Sequence, residues 1–249
     1  MAGHSKWANI KHRKGRQDAK RSRVWSKCSR AIIVAARSGG GDPEMNLTLR
    51  YAIEEAKSAN MPKDTIKNAI KKGTGAAGGE NYEPVVYEGY GPGGVAVLVE
   101  VLTDNKNRTV GEIRNIFEKK GGKLGTSGSV AYVFAQKGTI CVGKSAADEE
   151  QIMTIALEAG AEDVTDEGEF WQIVTEPPSF PAVKDAMEAA ELAIEAAEIS
   201  MIPSTTVACA GRDAQKILAL IDALDDQDDV QKVHANFDIP DEELAALEQ

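Results

Sequence analysis

The chain has 249 residues, of which 42% are hydrophobic and only 5% aromatic, so its cores must be built mainly from aliphatic side chains. The longest unbroken apolar run covers residues 31–36, far short of the roughly 20 residues that a membrane-spanning helix needs. The formal net charge is −10, which makes the uneven distribution of that charge along the chain informative.

Basic residues are concentrated at the N-terminus. The first 37 residues contain eleven Lys or Arg and one acidic residue, Asp18. Up to Lys72 the chain has 17 basic and 6 acidic residues, whereas residues 73–249 have 12 basic and 33 acidic ones. A chain polarised in this way presents one end to polyanions and keeps the rest away from them.

The N-terminal third is predicted to be helical. Residues 1–18 read as an irregular or partly helical arm. Residues 19–37 place Val24, Cys28, Ile32 and Ala35 on one helical face, and the basic side chains on the opposite face are expected to point outward. Two shorter amphipathic helices, 44–59 and 62–72, complete a small bundle.

After a glycine-rich linker at 73–79, strands alternate with helices, which predicts two small α+β units. The expected strands are 85–87, 95–102, 164, 170–174, 205–209 and 230–236, with a hairpin at 130–134 and 138–142. The expected helices are 109–120, 149–159, 182–199 and 212–226, followed by an acidic tail that is helical or disordered.

Known catalytic and cofactor motifs are not matched. Gly89, Gly91 and Gly94 fit GxGxxG, but they lead into a strand rather than the helix that a dinucleotide site requires, so a hairpin turn is predicted. The three cysteines lie far apart and the histidines lack ligand spacing, which argues against a zinc site.

The acidic clusters at 149–150, 225–226 and 228–229 are interpreted as solvated surface. We therefore expect no enzymatic activity, no cofactor and no metal. Sparse, unpaired thiols fit a reducing compartment, and without an apolar signal region a cytoplasmic location is expected. A mitochondrial presequence is the weaker alternative, because the basic stretch continues into a helix with a packing face.

The basic arm and the outward face of the first helix are the candidate nucleic-acid site, since cations that neutralise phosphates release counterions. One alternative is that the basic arm is a disordered tail that only increases solubility. Another is a membrane anchor, but an anchor would need more large apolar residues than the arm offers. The candidate residues are His4, Lys6, Trp7, Lys11, His12, Arg13, Lys14, Arg16, Lys20, Arg21, Arg23, Lys27 and Arg30.

A second candidate lies at residues 103–109, between a strand and a helix. Asp104, Asn105 and Asn107 are natural helix N-caps, and this structural interpretation is favoured. In the functional interpretation, Lys106 and Arg108 are secondary phosphate contacts.

Several unusual blocks occur together in one order, and the chain resembles the YebC/PmpR family. The blocks are 3–14 (GHSKWANIKHRK), 17–20 (QDAK), 39–43 (GGGDP), 60–62 (NMP), 87–94 (YEGYGPGG), 104–105 (DN), 107–109 (NRT), 128–132 (GSVAY) and 200–204 (SMIPS). The resemblance runs from Gly3 to about Asn236.

The resemblance implies an α+β protein of three domains. These are a basic helical domain at 1–78, a discontinuous α+β domain at 79–131 plus 203–240, and an α+β domain at 132–202 inserted into it, with an acidic tail at 241–249. It also implies that 182–199 holds two elements, with 198–201 extended.

Members of the family are described as DNA-binding transcriptional regulators, and also as ribosome-associated translation factors that relieve stalling at proline-rich stretches. The resemblance brings no catalytic residues. The expected partners are therefore DNA, or ribosomal RNA, together with proteins that contact the acidic domains. Phosphate contacts alone do not distinguish the two nucleic acids.

Overall fold

The structure is a computed structural model that describes residues 18–75, 81–145, 148–168, 170–240 and 243, with side chains from Ser22 onward. The described residues form two compact units, one from 18–129 and 210–233 and the other from 130–209 and 234–243. Seven α-helices and two four-stranded sheets lie within these residues, which confirms the predicted α+β class. Helices long and apolar enough to cross a membrane are absent from the described part of the chain.

The predicted arm and most of the predicted acidic tail lie outside the described residues. The predicted domain boundaries stay a prediction.

The first unit opens with three helices, α1 (Asp18–Gly39), α2 (Leu47–Ser58) and α3 (Lys63–Gly73). All three were predicted, although α2 begins three residues later than expected. Their apolar faces meet in a core that includes the fully buried Ile32, Leu49 and Ala56. Trp25 packs at the edge of this core, where its Nε1 donates a hydrogen bond to the carbonyl oxygen of Ala59 at 3.0 Å.

A buried amide fixes the junction between α1 and α2. Gly40 ends α1 with a φ of 87°, a conformation that favours glycine. Asn46 caps α2 by accepting a hydrogen bond from the Leu49 amide at 3.1 Å. Its Nδ2 also donates to the carbonyl oxygens of Ala35 and Gly40, both at 2.8 Å. One side chain thus satisfies both ends of the junction.

The rest of the first unit is a four-stranded sheet with two helices. In sheet order the strands are β3 (Lys123–Leu124), β1 (Glu83–Tyr90), β2 (Ala96–Thr103) and β9 (Val230–Ala235), and the helices are α4 (Lys106–Lys119) and α7 (Gly211–Asp225). β1 and β2 pair antiparallel, and Gly93 and Gly94 turn between them with φ of 72° and 79°. The GxGxxG match is therefore the predicted hairpin turn.

The second unit is built around an antiparallel sheet with the order β5, β6, β4, β7. Its elements are β4 (Phe134–Gly143), α5 (Glu149–Glu158), β5 (Asp163–Asp166), β6 (Phe170–Thr175), α6 (Phe180–Ala189) and β7 (Ile194–Pro203). β8 (Val207–Ala208) pairs in parallel with β10 (Phe237–Asp238).

The single helix expected from propensity at 182–199 is wrong. α6 ends at Ala189, Glu191 takes a φ of 58°, and β7 begins at Ile194. β7 pairs with β4 along nearly its whole length, and this pairing outweighs the helical preference of an Ala- and Glu-rich stretch. The division that the family resemblance implied is present, and the extended part is longer than expected.

The hairpin expected at 130–142 is also wrong. Residues Ala131–Val133 form a short 3-10 helix, and Phe134–Gly143 is one continuous strand. Gly138 does not turn the chain. A Cβ there would lie 2.5 Å from Cδ2 of Phe180, so the glycine admits that ring against the strand.

A second glycine sets the contact between α1 and α3. A Cβ at Gly73 would lie 2.5 Å from the carbonyl oxygen of Ile33 and 2.7 Å from Cβ of Ala36. Because backbone stands on one side of the contact, rotation of a side chain cannot relieve it. Gly111, on the exposed side of α4, is the opposite case, since a Cβ there meets no atom within 4 Å.

We expect Gly73→Ala to lower the free energy of unfolding by about 1–3 kcal/mol, because α1 and α3 must move apart to admit the methyl group. Gly111→Ala should raise it by up to about 1 kcal/mol, because alanine favours the helix and meets nothing. Urea denaturation of both variants tests the pair. Equal effects of the same sign would contradict the close packing at Gly73.

Candidate nucleic-acid interface

The predicted arm residues lie outside the described part of the chain, and so do the side chains of Lys20 and Arg21, although α1 includes their backbone. Their role in binding nucleic acid stays a prediction. The candidates in this group are His4, Lys6, Trp7, Lys11, His12, Arg13, Lys14, Arg16, Lys20 and Arg21.

The basic face of α1 meets an acidic segment, residues 225–229, at the end of α7. Arg23 Nη1 lies 2.8 Å from Asp226 Oδ1. Lys27 Nζ lies 2.9 Å from Asp225 Oδ1 and donates a hydrogen bond to the carbonyl oxygen of the same residue at 2.8 Å. Three of the predicted phosphate contacts of α1 have described side chains, namely Arg23, Lys27 and Arg30. All three contact carboxylate or carbonyl oxygens.

Arg30 makes the most enclosed of these contacts. Its Nη1 lies 3.3 Å from Asp229 Oδ1 and also donates to the carbonyl oxygen of Asp228. Its guanidinium lies over the Tyr82 ring, 5.3 Å from the centroid. The side chains of Lys27 and Arg30 are each only 18% exposed, so the prediction that this face points to solvent is wrong for both.

The attraction has a simple physical origin. The free carbonyl groups at the C-terminus of α7 carry partial negative charge, which favours cations there. Four aspartates at 225, 226, 228 and 229 add formal charge at the same place. α1 offers cations at intervals of four and three residues, which fall on one helical face. The interpretation of the cluster as solvated surface holds for Asp226, at 63% exposure, and fails for Asp229, at 4%.

Asp229 joins several elements through one buried carboxylate. Its Oδ2 accepts hydrogen bonds from Thr109 Oγ1 at 2.7 Å and from Thr103 Oγ1 and Arg108 Nη2, both at 3.1 Å. Arg30 contacts Oδ1. Burial by itself would raise the pKa of Asp229. The three hydrogen bonds and the charge of Arg30 outweigh burial and lower the pKa below its ordinary value.

The loop at 103–109 follows the structural interpretation. Asn105 caps α4, its side chain accepting a hydrogen bond from the Arg108 amide at 3.1 Å. Lys106 Nζ lies 2.5 Å from Glu83 Oε2, and Arg108 Nη2 lies 2.6 Å from Asp104 Oδ1. Both predicted secondary phosphate contacts are thus engaged in ion pairs, and their role as phosphate contacts stays a prediction.

The sequence prediction omitted a set of exposed lysines on α2 and α3. They are Lys57, Lys63, Lys67, Lys71 and Lys72, and within the described residues none of them forms an ion pair. Their spacing was a usable signal, since 63, 67 and 71 differ by four. In a count of charge along the chain, the larger surplus of basic residues in the first 30 positions masks this signal.

The described residues contain no group of three or more His, Cys, Asp or Glu placed to hold a metal ion. The three cysteines are buried, and none of them is in a disulfide bond. Burial raises the pKa of the Cys28 thiol to about 12, so this cysteine is not a thiolate at neutral pH.

We expect Asp229→Asn to lower the free energy of unfolding at pH 7 by about 2–4 kcal/mol, because it leaves buried donors and Arg30 without their carboxylate. The folded-state pKa of Asp229 lies below the unfolded value of about 3.9. The carboxylate's contribution is therefore fully present above pH 3.9 and is lost as the pH falls through the folded pKa. The difference in the free energy of unfolding between the wild type and Asp229→Asn should therefore decrease as the pH falls from about 3.9 through the folded-state pKa.

Asp226→Asn is the matched control. It removes a carboxylate from the same segment, but both members of its pair with Arg23 are more than half exposed, so the cost should be below about 1 kcal/mol. Denaturant unfolding between pH 3 and 7 measures both variants. If the two variants lose equal amounts of unfolding free energy, the structural role assigned to the buried carboxylate of Asp229 is contradicted.

Comparison with known protein families gives matches over nearly the whole chain. The family described as the TACO1/YebC protein N-terminal domain matches residues 5–76. The family described as the TACO1/YebC second and third domain matches residues 82–237. The first match includes α1–α3, and the second includes both sheets.

Individual relatives agree. A protein of Desulforapulum autotrophicum named "probable transcriptional regulatory protein" is 55% identical over 99% of this chain and 100% of its own length. A protein of Rubrobacter xylanophilus with the same name is 56% identical over 99% of each chain. The crystal structure of the conserved hypothetical protein Aq1575 from Aquifex aeolicus is 49% identical, with a TM-score of 0.80 over 90% of this chain and 93% of that one. Together these matches show that the chain belongs to the TACO1/YebC family.

Proposed function

We propose that the protein is a non-enzymatic regulator of gene expression that binds nucleic acid, with duplex DNA as the ligand, through its basic N-terminal segment. The observation that carries the proposal is the charge split, 17 basic against 6 acidic residues up to Lys72 and 12 against 33 after it. The names of the relatives from Desulforapulum autotrophicum and Rubrobacter xylanophilus support a role in transcription. Buried cysteines that form no disulfide fit the cytoplasm.

The arm is the part of this segment that best suits phosphate contact. On α1, Arg23, Lys27 and Arg30 are held by Asp225–Asp229, so a phosphate would have to compete with carboxylates there. The arm has no acidic residue before Asp18. Its Trp7 adds a ring that can stack on a base or anchor the arm. The cations of the arm are Lys6, Lys11, Arg13, Lys14 and Arg16.

The acidic remainder of the chain has a complementary role in this proposal. Its surplus of carboxylates repels phosphates and limits nucleic acid to the N-terminal segment. The acidic second unit is thereby left for protein partners. Regulation then results from binding and placement, and requires no reacting group.

We expect the full chain to bind duplex DNA with a log–log salt slope of roughly −5 if about six phosphates are neutralised. Replacing Lys11, Arg13 and Lys14 together by Gln should reduce the magnitude of the slope by about 2 to 3. Fluorescence anisotropy with a labelled duplex at several salt concentrations measures both. An unchanged slope would remove the arm from the interface.

The same preparation distinguishes DNA from the ribosome. A promoter fragment bound much more tightly than random duplex supports a transcriptional role. Two results together would overturn the choice of DNA and assign ribosomal RNA as the ligand. The protein would co-migrate with ribosomal subunits in a sucrose gradient unless it carried the same triple substitution, and it would bind all duplexes equally well.

A further inference from the structure

Three lysines form a regular row along α3. Lys63, Lys67 and Lys71 are exposed, and within the described residues none of them has a carboxylate partner. We call these three the α3 lysine row. Steps of four residues place successive members about 6 Å apart along the helix, so the row is about 12 Å long. Asp64 is the one acidic residue in α3.

The packing of α3 fixes the direction of this row. Ile66, Ala69 and Gly73 are buried against the helical core, and Gly73 admits no side chain without a clash with α1. The helix cannot turn about its axis without losing these contacts. The backbone of α3 therefore holds the three lysines on its exposed side at a fixed spacing along the helix.

Helix stability does not account for the row. Lys63 occupies the first helical position, where the partial positive charge of the helix N-terminus disfavours a cation. Like charges four residues apart also destabilise a helix slightly. Only Lys71, in the last turn, is placed favourably with respect to the helix dipole. Asp64, in the first turn and three residues before Lys67, is the one acidic residue of α3 that can offset this cost, so three lysines face one carboxylate and the surplus positive charge points to an external anion.

The contrast with α1 identifies which cations of the helical bundle are available. Lys27 and Arg30 are largely enclosed by acidic groups and stabilise the fold, whereas the α3 lysine row has no ion-pair partner among the residues that the structure describes. Lys57 at the end of α2 and Lys72 beside Lys71 are also exposed and unpaired among described residues, and they add positive charge nearby. A phosphate backbone can approach α3 without displacing a carboxylate.

We propose that the α3 lysine row is a phosphate-backbone contact site for nucleic acid, and that the paired cations of α1 are not part of the interface. The proposal rests on the proposed function and adds residues to it. Point charges on flexible stems position a backbone without reading its sequence, so the row should contribute affinity and salt dependence but no base preference.

The test replaces Lys63, Lys67 and Lys71 together by Gln in the full chain and measures anisotropy with a labelled duplex DNA and with a labelled RNA hairpin at several salt concentrations. Three lost phosphate contacts should reduce the magnitude of the log–log slope by about 2 to 3 on duplex DNA. The ratio of affinities for a promoter fragment and random duplex should not change. Lys67→Gln alone should reduce the slope by about 1, which guards against a folding defect in the triple variant.

The matched control is the Gln triple at Lys119, Lys120 and Lys123. These lysines are also clustered, exposed and unpaired among described residues, but lie beyond the helical bundle. The control should keep the wild-type slope. If it falls as far as the α3 variant, bulk charge explains the effect and the proposal is overturned. An α3 variant that binds as wild type also overturns it.

Two further outcomes separate this proposal from the proposed function. If the arm variant loses slope and the α3 variant does not, the proposed function stands and the α3 site fails. If wild type binds neither nucleic acid, both fail. A final measurement uses vesicles that contain anionic lipid. If the α3 lysine row is needed for binding to these vesicles but not for binding to nucleic acid, the choice of ligand is overturned.

Discussion

The first unit depends on the buried carboxylate of Asp229. It links the end of β2 through Thr103, the start of α4 through Thr109 and Arg108, and α1 through Arg30. A charge in that position is tolerated only because every side of the carboxylate has a donor or a cation. The carboxylate of Asp229 therefore holds the four-stranded sheet, α4 and α1 in one arrangement.

This constraint divides the basic residues of the chain into two classes. Those of α1 that face Asp225–Asp229 neutralise the C-terminal end of α7 and are bound to it, with Lys27 and Arg30 mostly enclosed. Those of α3 carry no such partner among the described residues. The acidic surplus of the chain thus stabilises the fold in addition to repelling phosphates, and a charge count alone does not show which basic residues are already engaged in ion pairs.

Local patterns in the sequence were sufficient for much of the fold. Amphipathic spacing predicted α1, α2 and α3, and the glycines at 89–94 indicated the β1–β2 turn correctly because a strand follows them. Propensity failed at 182–199, where the pairing of β7 (Ile194–Pro203) with β4 outweighs helical preference. The hairpin predicted from 130–134 and 138–142 also failed, because Phe134–Gly143 is one continuous strand in which Gly138 makes room for Phe180.

The sequence alone determined the α+β class, the helical start and the polarity of charge, since each follows from composition or from contacts between residues close in the chain. Only the tertiary structure decided which cations are available. Arg30 and Asp229 are 199 positions apart, and no local pattern reports that they meet at 3.3 Å. The partner of a charged side chain is set by the folded arrangement of distant segments, and the partner decides whether that charge serves the fold or remains free for a ligand.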